Sequence, residues 1–264
     1  MEDFARKQNT FFVLLFCFSL PLVFLIVVPL TKMITAPSIR SLLDTVKDPE
    51  VVKAIMLSIY TSWWAALISF VFGTPLAYVL ARKNFKGKRL VEGIIDLPIM
   101  IPHPVIGIAI LSLASRDQWI GKILQAIGIQ IMGTTTGIIT VLTFVGMPFY
   151  INTVKAGFES IPVRLEKVSR SLGAGPYSTF VRVTFPLAWR NMVLGMIMCV
   201  ARAISEFGAV VIVAYFPMTA PVLIYERFTA YGLKYSQPVA VWLILVSLAL
   251  FVCMRLFAKK RYEF

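Results

Sequence analysis

The stretch KAGFESIPVRLEKVSRSLGAGPYSTFVRVTFPLAWR, residues 155–190, sets the fold. It is polar and lies between two apolar stretches. Pro162 can open a helix, and apolar residues then recur near helical spacing among basic ones as far as Leu172. The sequence Gly-Ala-Gly-Pro at 173–176 predicts a break, and a second amphipathic helix follows until Pro186. We therefore predict two short helices joined by a glycine turn, with a membrane span beginning after Pro186.

The chain as a whole is too apolar for a water-soluble protein. Of its 264 residues, 58% are hydrophobic and 15% are charged, and the mean hydropathy is +0.81. Soluble domains carry about 25% charged residues, because charges cover the surface that faces water. The composition excludes a soluble globular domain and a disordered chain, and it indicates an integral membrane protein.

Six stretches are apolar enough to cross a bilayer as helices, which needs about 20 residues each. We predict an all-α, polytopic membrane protein in which residues 1–264 form a single transmembrane domain. The first stretch is longer than the apolar core of a signal peptide, and no small-residue cleavage site follows it closely, so we expect an uncleaved helix. The predicted spans are residues 11–31, 54–81, 91–114, 134–154, 191–214 and 236–257.

Basic residues predict the orientation of these spans. With the N-terminus inside the cell, the cytoplasmic segments carry about twice as many Lys and Arg residues as the external ones. This bias predicts a multi-pass protein of the cell membrane with both termini and residues 155–190 in the cytoplasm. The net charge of +13 then reflects loops that face anionic lipid, and we expect no nucleic-acid partner.

Few side chains in this sequence could support catalysis or hold a metal ion. The three cysteines lie far apart without CxxC spacing, and His103 is the one histidine. The sequence contains no GxxxxGK[ST], so it has no P-loop for ATP. We predict a transport subunit that is not an enzyme, with no catalytic residue, no metal site and no cofactor of its own.

Prolines interrupt the third predicted span. Pro98, Pro102 and Pro104 remove backbone donors that a helix in hydrocarbon needs, and Gly107 follows them. Such breaks persist in membranes where they are buried or line a cavity, so we predict a gate in a translocation path. A plain kinked helix is the alternative. We expect His103, between two of the prolines, to be a packed side chain rather than a catalytic one.

A pair of charges lies inside the fifth predicted span. Arg202 and Glu206 are four residues apart, so we expect them to share one helical face, and Phe207 and Gly208 follow. Charges inside a membrane usually face the bundle interior or water, which predicts that these four residues belong to the same path and gate. An ion pair that only fixes helix packing is the alternative.

Residues 165–186 resemble the signature loop of ABC importer permeases. That signature is Glu-Ala-Ala, three residues, Gly, nine residues, then Ile-x-Leu-Pro, and Gly173 and Pro186 stand at the matching positions. Lys-Val-Ser occupies the Glu-Ala-Ala positions, and the nearest acid, Glu166, is one residue early. The resemblance implies a type I ABC importer permease whose two short loop helices dock on a cytoplasmic ATPase. An amphipathic surface helix without a partner is the alternative. The implied coupling residues are Glu166, Ser169, Gly173, Ala174, Gly175 and Pro186.

Other stretches are similar to those of oxyanion permeases. Residues 96–107, DLPIMIPHPVIG, and residues 203–209, AISEFGA, are similar to sequences of molybdate, tungstate and sulfate permeases. Residues 72–78, FGTPLAY, and residues 220–227, APVLIYER, look closest to the molybdate/tungstate branch. The resemblance covers the chain from about residue 50 onward and implies uptake of molybdate or tungstate.

The same resemblance implies an assembly. It comprises a homodimer of this chain, two ATPase subunits that bind ATP and Mg²⁺, and an extracytoplasmic binding protein that delivers the oxyanion. We expect the gate stretches of the third and fifth spans to face each other across the dimer. Sulfate or another oxyanion is the alternative substrate. A stand-alone secondary transporter and a membrane-embedded enzyme are the alternative classes.

Overall fold

The computed structural model describes residues 2–115 and 117–259, which form helices and connecting turns without any strand. The all-α prediction is confirmed for these residues. The helices are α1 Glu2–Thr35, α2 Ile39–Lys47, α3 Pro49–Arg82, α4 Lys88–Met100, α5 His103–Ala114, α6 Trp119–Ala126, α7 Thr135–Ser160, α8 Val163–Ser171, α9 Pro176–Thr179, α10 Phe185–Ile204, α11 Gly208–Val213, α12 Ala220–Tyr231 and α13 Leu233–Lys259. A π-helical segment, Phe180–Thr184, joins α9 to α10.

Five of the described helical segments are long and apolar enough to cross a membrane. A sixth span is present if α4 and α5 together count as one. The five segments are Leu15–Thr35, Pro49–Arg82, Thr135–Ser160, Pro176–Ile204 and Leu233–Leu256. Three basic residues that entered the orientation argument, Arg116, Lys260 and Arg261, lie outside the described residues.

The third predicted span, residues 91–114, is not one helix. It consists of α4 and α5, which are bent by 112° at the break between Met100 and His103. The alternative of a plain kinked helix is therefore wrong. The break follows from the prolines, because Pro102 and Pro104 cannot donate the backbone hydrogen bonds that would continue α4. Pro98, by contrast, lies inside α4 without ending it.

The fifth predicted span, residues 191–214, has other bounds in the structure. Helical backbone runs without interruption from Pro176 to Ile204. Three non-helical residues then separate it from α11, which begins at Gly208. Pro186 does not end the second loop helix, so that prediction is wrong. The backbone N–H of Phe185 bonds to Phe180 O in the π-helical register. This register leaves Pro186 in the first turn of α10, where its missing N–H is tolerated.

The core lies where α3, α7 and α10 pack together. Tyr150 of α7 is fully buried, and its hydroxyl lies 2.6 Å from Thr74 Oγ1 of α3. Cys199 of α10 reaches Ser69 Oγ of α3 at 3.6 Å, a long contact for a weak thiol donor. Buried hydroxyls on α3 also bond to backbone carbonyls one turn earlier, so few polar atoms are left without a partner.

The N-terminal part of α3 contacts α12. Ser58 Oγ accepts the backbone N–H of Ala220 at 2.8 Å, at the start of α12. Arg227 of α12 donates to Asp48 at 2.6 Å and to Glu50 at 3.2 Å. Burial alone would raise the pKa of Asp48, but the hydrogen bond from Arg227 and the backbone N–H of Glu50 hold it below its ordinary value. Asp48 also caps α3 through that N–H.

Candidate functional site

The loop at residues 155–190 forms the predicted pair of helices around a glycine turn. α7 continues to Ser160, α8 follows, and the turn after Leu172 leads into α9. Gly173 has φ of 90°, which confirms that the turn needs a left-handed residue. Leu172 and Tyr177, on either side of this turn, are more than four-fifths exposed. The loop therefore presents an apolar, uncovered tip at one end of the molecule.

Glu166 lies on the inner side of this loop, where it is buried. Its carboxylate accepts Arg82 Nε at 2.8 Å and the Thr184 hydroxyl at 3.1 Å, and the Tyr78 hydroxyl lies 3.3 Å away. Arg82 also donates to the Ile161 carbonyl at 3.1 Å, at the end of α7. This carboxylate therefore ties α8 to α3 and to the π-helical segment, so Glu166 points into the protein and not outward.

Of the other predicted coupling residues, Ser169 lies on α8, Gly173, Ala174 and Gly175 form the turn, and Pro186 lies in the first turn of α10. Ser169 Oγ lies 3.1 Å from Thr179 Oγ1, and its carbonyl accepts the Ala174 N–H at 3.2 Å. Gly175 caps the start of α9 with an ordinary φ of −67°. These hydrogen bonds join the two short helices to each other, so the tip of the loop is held by its own hydrogen bonds and is not a flexible connection.

Aromatic rings pack between the loop and the long helices α3, α7 and α10. Tyr78 of α3 packs edge-to-face on Phe158 of α7 and on Phe180, with ring centroids 5.3 Å and 4.9 Å apart. Phe180 in turn packs on Phe185, which contacts Trp189. These rings carry large buried surfaces and fix the orientation of the chain where the loop enters α10.

A second site forms where α5, α10 and α11 meet. Glu206 lies in the break after α10, with its side chain 2% exposed. Its Oε2 is 2.7 Å from Arg202 Nη2 and 2.7 Å from His103 Nδ1, and its Oε1 accepts the Ala209 N–H at 2.9 Å. Arg202 Nη2 also lies 2.8 Å from a His103 ring nitrogen. One carboxylate thus joins the ends of three helices.

The structure corrects one prediction about this cluster. Glu206 is not on the same helical face as Arg202, because α10 ends at Ile204. The two predicted gate stretches touch within one chain, through His103 and Glu206, and their approach across a dimer stays a prediction. His103 is more than a packed side chain, and its role escaped the sequence analysis because its two partners are about 100 residues away.

Glycines allow the two stretches to approach closely. A Cβ atom on Gly107 would lie 2.8 Å from the Ala209 carbonyl oxygen, and one on Gly208 would lie 3.0 Å from His103 Cβ. Pro102 and Pro104 flank His103 at this contact. Pro98 is buried in α4, away from the cluster's bonds, and Phe207 packs on the Tyr225 ring at 4.8 Å. Seven of the eight predicted gate residues, all but Pro98, therefore lie at this junction.

Two acids on α4 pair with α7, which the sequence did not predict. Glu92 Oε1 contacts Lys155 Nζ, and Asp96 Oδ1 accepts the Asn152 side-chain amide at 2.7 Å. The partners lie 63 and 56 residues away along the chain, so the sequence alone does not show them. These bonds hold α4 against α7, and so they position the segment that leads to Pro102.

Comparison with known proteins identifies the family. Residues 73–261 match the model of the binding-protein-dependent transport system inner membrane component. The chain belongs to this family. It is 41% identical over 261 residues to the molybdate/tungstate transport system permease protein WtpB of Methanocaldococcus jannaschii, covering 99% of both chains. It is 44% identical over 230 residues to the WtpB protein of Pyrococcus abyssi, covering 87% of both.

More distant relatives fit the same family. This inner membrane component is 33% identical over 238 residues to a probable sulfate transport system permease protein, cysT, of Chlorokybus atmophyticus, covering 88% of this chain and 82% of the relative. A chain of a bacterial ABC transporter involved in alginate import shares the fold, with a TM-score of 0.76, 17% identity and coverage of 98% and 99%. The predicted ABC importer permease architecture is confirmed, and the alternatives of a secondary transporter and of a membrane enzyme gain no support.

Proposed function

We propose that this permease takes up molybdate or tungstate in an ATP-driven importer, with the oxyanion delivered by an external binding protein. The observation that carries this proposal is the identity of 41–44% to permeases named for molybdate/tungstate transport. Identity to permeases named for sulfate transport is lower, at 33% for the relative described above. Sulfate is therefore the second candidate substrate.

The assembly that we propose is a homodimer of this chain with two cytoplasmic ATPase subunits and an extracytoplasmic binding protein. The chain contains no P-loop sequence, so ATP and Mg²⁺ would bind to the separate ATPase. The family description, a binding-protein-dependent system, supports the external partner. The bias of basic residues supports both termini, and the loop at residues 155–190, on the cytoplasmic side.

The loop tip is the surface that we propose for the ATPase. It is bonded internally through Ser169 and Thr179, and it is exposed at Leu172 and Tyr177. An ATPase that pushes on a bonded unit displaces the whole unit, whereas a flexible loop would absorb the motion. Apolar residues at the tip would be covered by docking, which accounts for their exposure here.

The junction of α5, α10 and α11 is the gate that we propose. Its helices end at breaks rather than continue, so they can shift with little loss of backbone hydrogen bonds. The bonds of Glu206 would hold the closed arrangement. Arg202 would supply positive charge near the path, partly balanced by Glu206, so that a dianion is attracted without being trapped.

Transport assays test the substrate and the energy source. The chain would be co-expressed with its ATPase and binding protein, purified, and reconstituted in liposomes with ATP inside. We expect uptake of molybdate or tungstate, measured by mass spectrometry of the metal, that requires ATP and the loaded binding protein. Uptake without the ATPase would contradict the proposal. Faster uptake of sulfate than of either metal oxyanion would favour the second candidate.

Cross-linking tests the docking surface. A cysteine at Ala174, in the loop tip, should form a cross-link with a cysteine in the ATPase groove. A cysteine at Lys86, in the exposed turn between α3 and α4, is the matched control on another cytoplasmic segment. If Lys86→Cys cross-links and Ala174→Cys does not at any ATPase position, the loop is not the docking surface.

A further inference from the structure

Glu166 has very little exposed surface to offer a partner protein. Its side chain is 7% exposed, whereas its neighbour Lys167 on α8 is exposed. Its carboxylate is occupied by Arg82, Thr184 and Tyr78. A carboxylate in this position would have to leave three bonds and its burial to reach an ATPase, so its contribution to coupling must lie inside the permease.

Arg82 is the partner that connects this carboxylate to a membrane helix. It is the last residue of α3, and its side chain is 9% exposed. Nε donates to Glu166 on α8, and Nη2 donates to Ile161 O at the end of α7. The planar guanidinium therefore donates from two different nitrogens to the two sides of the connection between α7 and α8, in the fixed geometry of its fork.

α3, which ends at Arg82, makes polar contacts with other elements at both of its ends. At its start, Asp48 and Glu50 bond to Arg227 of α12, and Ser58 accepts the Ala220 N–H. The 34 residues of α3 span about 50 Å, more than the apolar thickness of a bilayer. The same helix therefore contacts the loop at one end and α12 at the other.

We propose that Glu166 is a positioning residue: through its ion pair with Arg82, it makes α8 and α3 move together. Displacement of the loop then moves α3 and, through α3, the external segment α12. This inference rests on the proposed ATPase docking of the loop, but it assigns Glu166 an internal role instead of an ATPase contact. It predicts that the pair can be broken without loss of docking.

The first test measures coupling in reconstituted complexes. Glu166→Gln and Arg82→Gln should still co-purify with the ATPase and hydrolyse ATP, while oxyanion imported per ATP falls by about tenfold, a typical interaction within one bonded network. The double variant should be no worse than either single one, because both remove the same pair. Lys83→Gln, the same charge loss at the exposed neighbouring residue, should leave the ratio unchanged.

The second test measures the relative movement of α8 and α3. If the ion pair only stabilised the fold, removing it would not change this movement. Spin labels at Arg164→Cys on α8 and Lys83→Cys beside α3, with Cys17 and Cys253 replaced by serine, report the distance between the two elements. We expect the same distance in nucleotide-free and ATP-bound complexes. With Glu166→Gln added, the distance should differ between the two states.

The outcomes separate this inference from the proposed function. If the parent complex transports but its label distance already changes with nucleotide, α8 and α3 move independently and the inference fails alone. If Glu166→Gln loses the ATPase while Arg82→Gln keeps it, Glu166 is an ATPase contact and the inference again fails. If the unaltered chain neither binds an ATPase nor transports with one, the proposed function itself fails.

Discussion

At residue 173 the backbone conformation requires glycine, while the space around it does not. Gly173 has φ of 90°, and a Cβ atom would meet nothing within 4 Å. A valine there costs about 1–2 kcal/mol, because L-residues resist the left-handed region. We expect Gly173→Val to remain in the membrane and to lose uptake while the ATPase still turns over, measured as oxyanion imported per ATP.

Gly175 provides the matched control for that change. It is two residues away, is equally open around its Cβ position, and has φ of −67°, which any residue adopts. Gly175→Val should therefore transport almost normally. Equal loss in both variants would mean that bulk at the docking surface, and not the turn conformation, limits coupling.

Among the residues of the proposed gate, Glu206 is the one whose carboxylate should matter most. Glu206→Gln removes the charge that faces Arg202 and His103 and leaves buried donors less satisfied, at a cost of about 1–3 kcal/mol. We expect a lower melting temperature in detergent and altered uptake. Glu226→Gln, the same change on α12 outside the cluster, is the control. Unchanged melting and uptake in Glu206→Gln would show that the cluster holds nothing together.

Individual site residues could be predicted from the sequence only where their chemistry is unusual for their surroundings. Arg202 and Glu206 stand out because charges are rare in an apolar span. Their third partner, His103, does not, because it lies 99 residues from Arg202 and the sequence does not show which helices touch. The burial of Glu166 could not be predicted for the same reason, because its partner Arg82 lies 84 residues away along the chain.

The helices themselves follow from apolar length, and their breaks follow only in part. Prolines at 102 and 104 predicted the break in the third span, although not its angle of 112°. The break at Ser205–Phe207 carries no proline, and the glycine after it begins α11 instead of ending α10. There, the bonds of Glu206 to Ala209 N–H and to α5 outweigh the preference of the sequence for a continuous helix.

The joint between α3 and α12 should weaken in acid. The pKa of Asp48 is held below its ordinary value of 3.8, so the stability that it contributes is present above that value and is lost as the pH falls through the lowered pKa. Asp48→Asn keeps the helix cap but cannot form the ion pair with Arg227. We expect the difference in thermal stability between the parent and Asp48→Asn to be constant above about pH 5 and to shrink toward pH 3.

A control on α2 isolates this effect from other carboxylates. Asp44→Asn makes the same chemical change four residues earlier, at an exposed position. The Asp48→Asn difference is compared with that of Asp44→Asn at each pH. An Asp48→Asn difference that follows that of Asp44→Asn across the whole range would mean that Arg227 does not pair with Asp48 in solution.

At the scale of the molecule, the two proposed functional regions lie at opposite ends of one continuous stretch of helical backbone. The loop tip and Glu166 lie where α7 ends and α3 meets its Arg82 joint, and the cluster of Glu206 lies at the other end of α10. Helical backbone is continuous from the loop to that cluster over Pro176–Ile204, through α9, the π-helical segment and α10. A displacement of the loop along α10 therefore reaches Arg202 directly, and it must be accommodated at the break beyond Ile204.

This arrangement predicts that nucleotide changes accessibility at the junction of α5 and α11. Ile106 is 2% exposed in the core beside that junction, and Phe207 lies in the break itself. If loop displacement separates α5 from α11, a cysteine at either position should react with a water-soluble maleimide at different rates in nucleotide-free and ATP-bound complexes. Leu248→Cys, on the exposed face of α13, should react equally in both. Equal rates at Ile106 and Phe207 while transport persists would place the gate elsewhere in the protein, because a path that opens at this junction must admit water between these helices.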